Sequence, residues 1–391
     1  MISFEQALEL TLNVDFNLIT ENVNILKSLN RVLAEDVISD IDMPPYNKSA
    51  MDGYAMQSED INDFCEVIEI IPAGKNPEKK ISKKTCSKIM TGAVLPDNAN
   101  IVIPVEDVEI DDKGRIKCSK PQKSDNICRK GEDIHKGQTV INKGTIIKSQ
   151  HIPVLASVGC VNPLVYKQKQ ITVAATGNEL VEPDIMPGEA MIRNSNAYQL
   201  IAQIENTGSL YHYAGIIPDN EKSIINFLRN NIHKSDLIII TGGVSAGDFD
   251  YVPLALQQFG AIIIYKSIAI QPGRPVVFAK YNDKYIWGLP GNPVSSYVIF
   301  DILVKPLIFK ITGADYQPLT LKFPLNIDYE RNNAERLAVI PVKIYNGSCV
   351  IPIEYHGSAH INALTQSNAY AFIPSGIKKL KKGEMVNVRL L

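Results

Sequence analysis

The sequence predicts a multidomain α/β and β protein, with an α/β unit built on a parallel-rich sheet set between β-rich amino-terminal segments and a carboxyl-terminal β-barrel. Three observations carry this. The chain has 391 residues, and chains of that length divide into domains of about 100 to 200 residues. From about Ile171 the pattern becomes strand, glycine turn, helix, repeated, which is the signature of a parallel sheet with helices on both faces. Before and after that stretch, short β-like runs alternate with turn residues.

The elements follow in order. In the opening MISFEQALEL, Ser3 and Gln6 have the spacing of a capping box and no basic region precedes an apolar core, so a short helix is expected and a signal peptide is not. Up to about residue 165 come "DVISDIDMPP", "CEVIEIIPAG", "ANIVIPVEDVEI" and "GQTVINKGTIIKS", read as small β-domains. The lysine-rich Gly74 to Lys88 reads as a solvated turn region. "ITVAATGNEL", "NSNAYQLIAQIENTG", "DLIIITGGVSAGD" and "KYIWGLPGNPVSSYVIF" then supply the buried strands and helices. Asn194 or Ser195 serves as N-cap of the first helix and Gly208 as its stop, and Asp219 is placed to cap a second helix carrying Ile224, Leu228 and Ile232. The apolar run Ser295 to Ile311 contains Asp301, Lys305 and Pro306, so it is expected to be a buried helix and not a membrane span. After Gly313, "LTLKFPLNI", "LAVIPVKIY", "CVIPIEY", "AYAFIPS" and "EMVNVRLL" are five strands of a small barrel or sandwich.

Composition excludes several classes. A net charge of -2 argues against a broad basic surface and so against a nucleic-acid partner; any charged site must be local. Cys65, Cys86, Cys118, Cys128, Cys160 and Cys349 are scattered without a CxxC pair, which suggests neither a zinc site nor a disulfide framework and fits a reducing, cytoplasmic setting.

In open parallel sheets, ligands bind beyond the carboxyl ends of the strands. "TGNE", "TGGVSAGD" and "GLPGNP" all arrive at that edge. Gly242, Gly243 and Gly247 let backbone N–H groups approach an anion, yet the spacing is neither GxGxxG nor GxxxxGK[ST]. A tight turn alone would explain the glycines. Glu179, Asp219, Asp248 and Asp250 lie in or near the same loops, and carboxylates around a phosphate repel it unless a divalent cation such as Mg²⁺ bridges them. Each acid taken singly is explained as well by a helix cap or a solvated loop charge. Asn292, with Ser295 and Ser296, is aimed by a rigid Gly-Pro turn at the same edge, and Arg274 in "IQPGRP" offers a permanent cation. Asp52 and Asp133 stand in turns with basic neighbours, and composition gives no reason to join them to the α/β site.

"NKSAMDGYAM", "IMTGAVLPDNANIVIPVE", "RKGEDI", "TGNEL", "RNSN", "TGGVSAGDFDY", "PGRPVVFA" and "GLPGNPVSS" occur in that order along essentially the whole chain. This series resembles the molybdopterin molybdenumtransferases of the MoeA family, whose animal relative is the carboxyl-terminal domain of gephyrin. The resemblance implies four domains: residues 1–45 plus 139–170 linking, 46–138 an inserted β-rich domain, 171–315 a molybdopterin-binding-like α/β domain, and 316–391 the barrel. It further implies a homodimer whose active cleft is shared between subunits. The reaction implied is insertion of molybdate into adenylylated molybdopterin with Mg²⁺ and release of AMP, with the molybdopterin adenylyltransferase of the preceding step as a partner. Carried over, Asp52, Asp133 and Thr91 are residues that reach the cleft; Glu179, Asp219 and Asp250 are acids of metal handling or hydrolysis; Gly242, Gly243, Ser245, Pro290, Asn292 and Pro293 cradle pterin and phosphate; and Arg274 is a cation of the site. The chain departs from common family patterns at Gln271, where many relatives carry lysine, and at Asn178 and Asn194, where acids are frequent. Two other readings compete: a molybdopterin adenylyltransferase, which lacks the "DGYA" and "GEDI" regions, and a non-catalytic scaffold of the gephyrin type.

Overall fold

The computed structural model describes residues 1–244, 250–353 and 360–391. The amino-terminal segments pair across a long insertion: Thr20–Asn22 runs antiparallel to Leu164–Tyr166, and Val37–Ile38 to Thr139–Ile141. Leu33, Val37, Ile141, Ile147, Leu155 and Val165 form the core between them. The insertion contributes a four-stranded sheet in the order Glu66–Ile71, Thr85–Ile89, Gly53–Met56, Ile101–Pro104. Two of its strands touch so closely at Gly53 that a Cβ there would stand 2.2 Å from the Ile103 carbonyl oxygen.

The α/β sheet has six strands, in the order Leu210–Ile217, Gln170–Thr176, Leu237–Thr241, Lys284–Leu289, Pro275–Tyr281, Ile262–Ser267. The first four are mutually parallel. Every residue of Leu237–Thr241 is buried, as expected for a strand covered on both faces. One face holds Val173, Ile239, Phe278 and Trp287 under helix Asn196–Glu205 and the Pro293–Ile311 segment. The other holds Ala174, Ile238, Ile240 and Ile286 under helices Glu221–Asn231 and Tyr251–Phe259.

Pro275–Tyr281 runs antiparallel to both its neighbours. The chain reverses at Asn282-Asp283, with Asn282 at φ 53°, a conformation asparagine adopts more readily than most residues. Without a glycine the reversal has a weak sequence signal.

The capping box at Ser3 and Gln6 forms. Its helix, Phe4–Leu12, was expected with the linking segments but packs on the α/β core through Phe4 and Ala7, and Thr11 Oγ1 lies 2.6 Å from the Tyr265 hydroxyl. Pro293–Ile299 and Lys305–Ile311 are α-helical, joined by a wide π turn over Phe300–Val304. The wide turn precedes Pro306, which has no N–H to give to the turn before it. Asp301 is buried there and accepts from Lys305 Nζ at 2.9 Å. Among the described residues no helix is long and apolar enough to cross a membrane.

All five expected carboxyl-terminal strands form, as Thr320–Pro324, Leu337–Tyr345, Cys349–Pro352, Ala369–Ile373 and Met385–Leu390, in a single sheet. Its edge is extended by Ile270–Gln271, which pairs parallel to Leu337–Ala338.

Candidate active site

Four parallel strands end at one edge, and the loops leaving them enclose a cleft of about 400 Å³. Thr176 closes the first strand, Asp219 follows the second, Gly242 and Gly243 follow the third, and Gly291, Asn292 and Pro293 follow the fourth. Glu179 and Asp250 complete the acidic lining. Glu179, Asp219, Asp250, Gly242, Gly243, Asn292 and Pro293, all singled out in the sequence, are thus brought together.

The Gly-Gly turn makes the close approach possible. Gly242 sits at φ 103°, and a Cβ there would lie 2.2 Å from the Thr176 carbonyl oxygen. At Gly243, φ 61°, an added Cβ would be 3.2 Å from Asp219 Oδ1. The Gly242 N–H is already given to the Leu289 carbonyl at 3.0 Å, so of these two amides only that of Gly243 is without a partner among the described residues. The Thr241 hydroxyl donates to the Pro290 carbonyl at 3.1 Å and accepts from Asn196 Nδ2, which also donates to the Gly291 carbonyl at 2.8 Å. Pro290 therefore fixes the loop through its carbonyl and does not line the cleft.

Asp219 was expected to cap helix Glu221–Asn231. Asn220 does so instead, its side chain accepting from Ser223 N–H at 2.9 Å, and the Asp219 carboxylate turns to the cleft, where Thr176 Oγ1 donates to it at 2.9 Å. Burial pushes the Asp219 carboxyl above its ordinary range; the Thr176 hydroxyl acts against that, and the negative charges of Glu179 and Asp250 add to it.

The two asparagines at family acid positions have structural work. Asn178 Oδ1 accepts the Asp219 amide at 3.1 Å. Asn194 Oδ1 accepts the Ala197 amide at 3.2 Å, capping helix Asn196–Glu205 in place of Ser195, and its Nδ2 donates to Tyr213 at 2.8 Å. Tyr213 in turn donates to Glu182 at 2.6 Å, as Tyr198 does at 3.0 Å.

Other expected residues lie elsewhere in the chain. Asp52 Oδ1 accepts both the amide of Thr91, at 2.6 Å, and its hydroxyl, at 2.8 Å; these bonds, the amide first, hold the Asp52 carboxyl below its ordinary range. Asp133 is exposed in the turn that pairs with Met43. Neither acid, nor Thr91, lines this chain's cleft. Arg274 does not line it either: the Ile270–Gln271 strand before it is drawn into the carboxyl-terminal sheet. Ser295 and Ser296 are buried in their helix. Ser245, Gly247 and Asp248 fall outside the described residues.

Sequence reasoning missed Thr176, which orients Asp219, and Arg193, the one cation of the cleft lining among the described residues. Arg193 lies in "RNSN", where the helix-capping signal of Asn194 and Ser195 masks it. The donor set suits Mg²⁺ in the way usual for that ion, with one or two carboxylates and the remaining positions left to water and phosphate oxygens. Among the described residues no three His, Cys, Asp or Glu side chains stand together closely enough to hold an ion, so Glu179, Asp219 and Asp250 share a lining and do not form a closed cage.

Three family models match the chain in succession: the MoeA N-terminal region (domain I and II) over residues 2–159, a probable molybdopterin binding domain over 172–310, and the MoeA C-terminal region (domain IV) over 327–391. A molybdopterin molybdenumtransferase of Staphylococcus epidermidis is 34% identical over 402 residues, covering 100% of this chain and 95% of that protein. One of Staphylococcus aureus is 31% identical over 401 residues with the same coverage. The crystal structure of the molybdopterin biosynthesis moeA protein from Pyrococcus horikoshii OT3 is similar with a TM-score of 0.85 at 30% identity, over 100% of both chains. With relatives of this identity aligned along its whole length, and the same order of units from end to end, the chain belongs to the MoeA family.

Proposed function

We propose that the chain is a molybdopterin molybdenumtransferase of molybdenum cofactor biosynthesis, inserting molybdate into adenylylated molybdopterin with Mg²⁺ and releasing AMP. The observation that carries this is the cleft at the carboxyl edge of the parallel strands, where Glu179, Asp219 and Asp250 line the same space as the Gly242-Gly243 turn. A phosphate-bearing ligand and a divalent cation together satisfy such a lining; either alone does not.

Glu179 and Asp250 would hold Mg²⁺ in company with the substrate's phosphate oxygens. When bound, Mg²⁺ supplies neutralisation of phosphate charge and Lewis-acid polarisation. Asp219, whose raised carboxyl is oriented by Thr176, is placed to take a proton from the attacking water at Oδ2. The Gly243 amide would steady charge developing on the phosphate. The Gly291–Pro293 turn shapes the wall against which the pterin lies. In a homodimer, Asp52, Thr91 and Asp133 would approach the cleft from the partner subunit, since they do not line their own. The molybdopterin adenylyltransferase would deliver the substrate. The six cysteines are all free thiols, consistent with the cytoplasm as the site of this chemistry.

The test is AMP release from adenylylated molybdopterin by purified protein with molybdate and Mg²⁺. Release dependent on both additions is expected; none from the wild-type protein would overturn the reading.

A further inference from the structure

We propose that Arg193 is the phosphate-binding cation of the cleft, the role that sequence resemblance gives to Arg274; this rests on the proposed reaction for its natural ligand. Arg193 lines the cleft together with Glu179, Asp219 and Asp250, and Arg274 does not line it. Three carboxylates against one guanidinium leave the lining net negative. Yet Arg193 forms no ion pair with any of them or with another described residue. Its guanidinium is held from behind: Nε donates to the Ile185 carbonyl at 3.2 Å, and Nη2 rests 3.9 Å from the Met186 sulfur. The backbone beneath is fixed as well, because Ile192–Arg193 pairs in parallel with Leu180–Val181 and the Asn194 amide donates to the Val181 carbonyl at 2.8 Å.

A thioether is a poor acceptor, so Nη2 keeps most of its donor capacity. Nη1 has no partner among the described residues. An oriented guanidinium with a free pair of N–H groups, charged at any physiological pH, is built for two-pronged binding of a phosphate. The same strand pair carries Glu179 at its start, since the Ile192 amide donates to the Glu179 carbonyl at 2.8 Å. Cation and carboxylate are therefore carried by one strand pair at the cleft, so a phosphate held by Arg193 would share that rim with Glu179.

The experiment is calorimetric titration of the full-length protein with AMP and, separately, with adenosine, for wild type, Arg193→Gln and Arg193→Lys. The wild type should bind AMP more tightly than adenosine, Arg193→Gln should weaken AMP by about tenfold or more while leaving adenosine unchanged, and Arg193→Lys should fall between. The affinity of the wild type for AMP should also drop more steeply with salt than that of Arg193→Gln. Equal weakening of both ligands, or no weakening of AMP, overturns the proposal. AMP binding needs no turnover, so a protein that binds AMP through Arg193 but releases none from the adenylylated pterin loses the proposed reaction and keeps this inference.

Discussion

Asp219 shows how three neighbours decide what one carboxylate does. Asn220 takes the helix cap, Asn178 takes the Asp219 amide, and Thr176 orients the freed oxygen. Thr176→Val removes the one contact that favours the ionised carboxyl, so the rise of AMP release with pH should move to higher pH; an unmoved profile counts against Asp219 as the proton acceptor. Stability follows the same sign. A carboxyl raised in the folded state contributes stability below its unfolded pKa and loses it as pH rises through the folded one. Asp219→Asn should therefore gain stability at neutral pH, by under about 1 kcal/mol because solvent screens a half-exposed group, and the gain should vanish on acidification; thermal melts across pH check it. Gly242→Ala is the opposite case. Its φ of 103° and the 2.2 Å approach to Thr176 predict a loss of at least about 1–3 kcal/mol, read by denaturant titration, together with loss of the cleft.

Among the elements, burial decided what was legible in sequence. Leu237–Thr241 is buried on both faces and reads as an unbroken apolar run, and the five carboxyl-terminal strands alternate with clear turn residues. Pro275–Tyr281 escaped because its direction is set by a reversal at Asn282-Asp283 that has no glycine to mark it. The acids of the cleft were legible because strand-end loops are where an α/β sheet keeps its chemistry. Arg193 and Thr176 were not, since a guanidinium pinned by the Ile185 carbonyl and a hydroxyl aimed at a residue 43 positions away are products of tertiary packing. Trp287, fully buried between Tyr265 and Phe278, anchors the face that carries helix Asn196–Glu205. Trp287→Ala should cost about 3–5 kcal/mol, seen as a lower denaturation midpoint.

In the whole molecule, the acids that the sequence suggests for the site fall into two sets: Glu179, Asp219 and Asp250 in the cleft, and Asp52 with Thr91 and Asp133 on the amino-terminal units. If one catalytic centre needs both, it is assembled from two chains. Asp52→Ala and Glu179→Ala, each inactive alone, should regain activity when mixed and allowed to exchange subunits, because one mixed site in each heterodimer is intact; failure of complementation argues for a site within one chain. A last consequence comes from Ile270–Gln271. It hydrogen-bonds into the carboxyl-terminal sheet, and the same chain enters the α/β sheet again at Pro275. Between them Gly273 is wedged against Ile299, which an added Cβ would meet at 2.5 Å. So short and tightly seated a splice has no slack, and with Val339 and Tyr370 of the carboxyl-terminal sheet buried in the same core as Val298 and Ile299, it works as a clamp that holds the carboxyl-terminal unit against the sheet edge that carries the cleft.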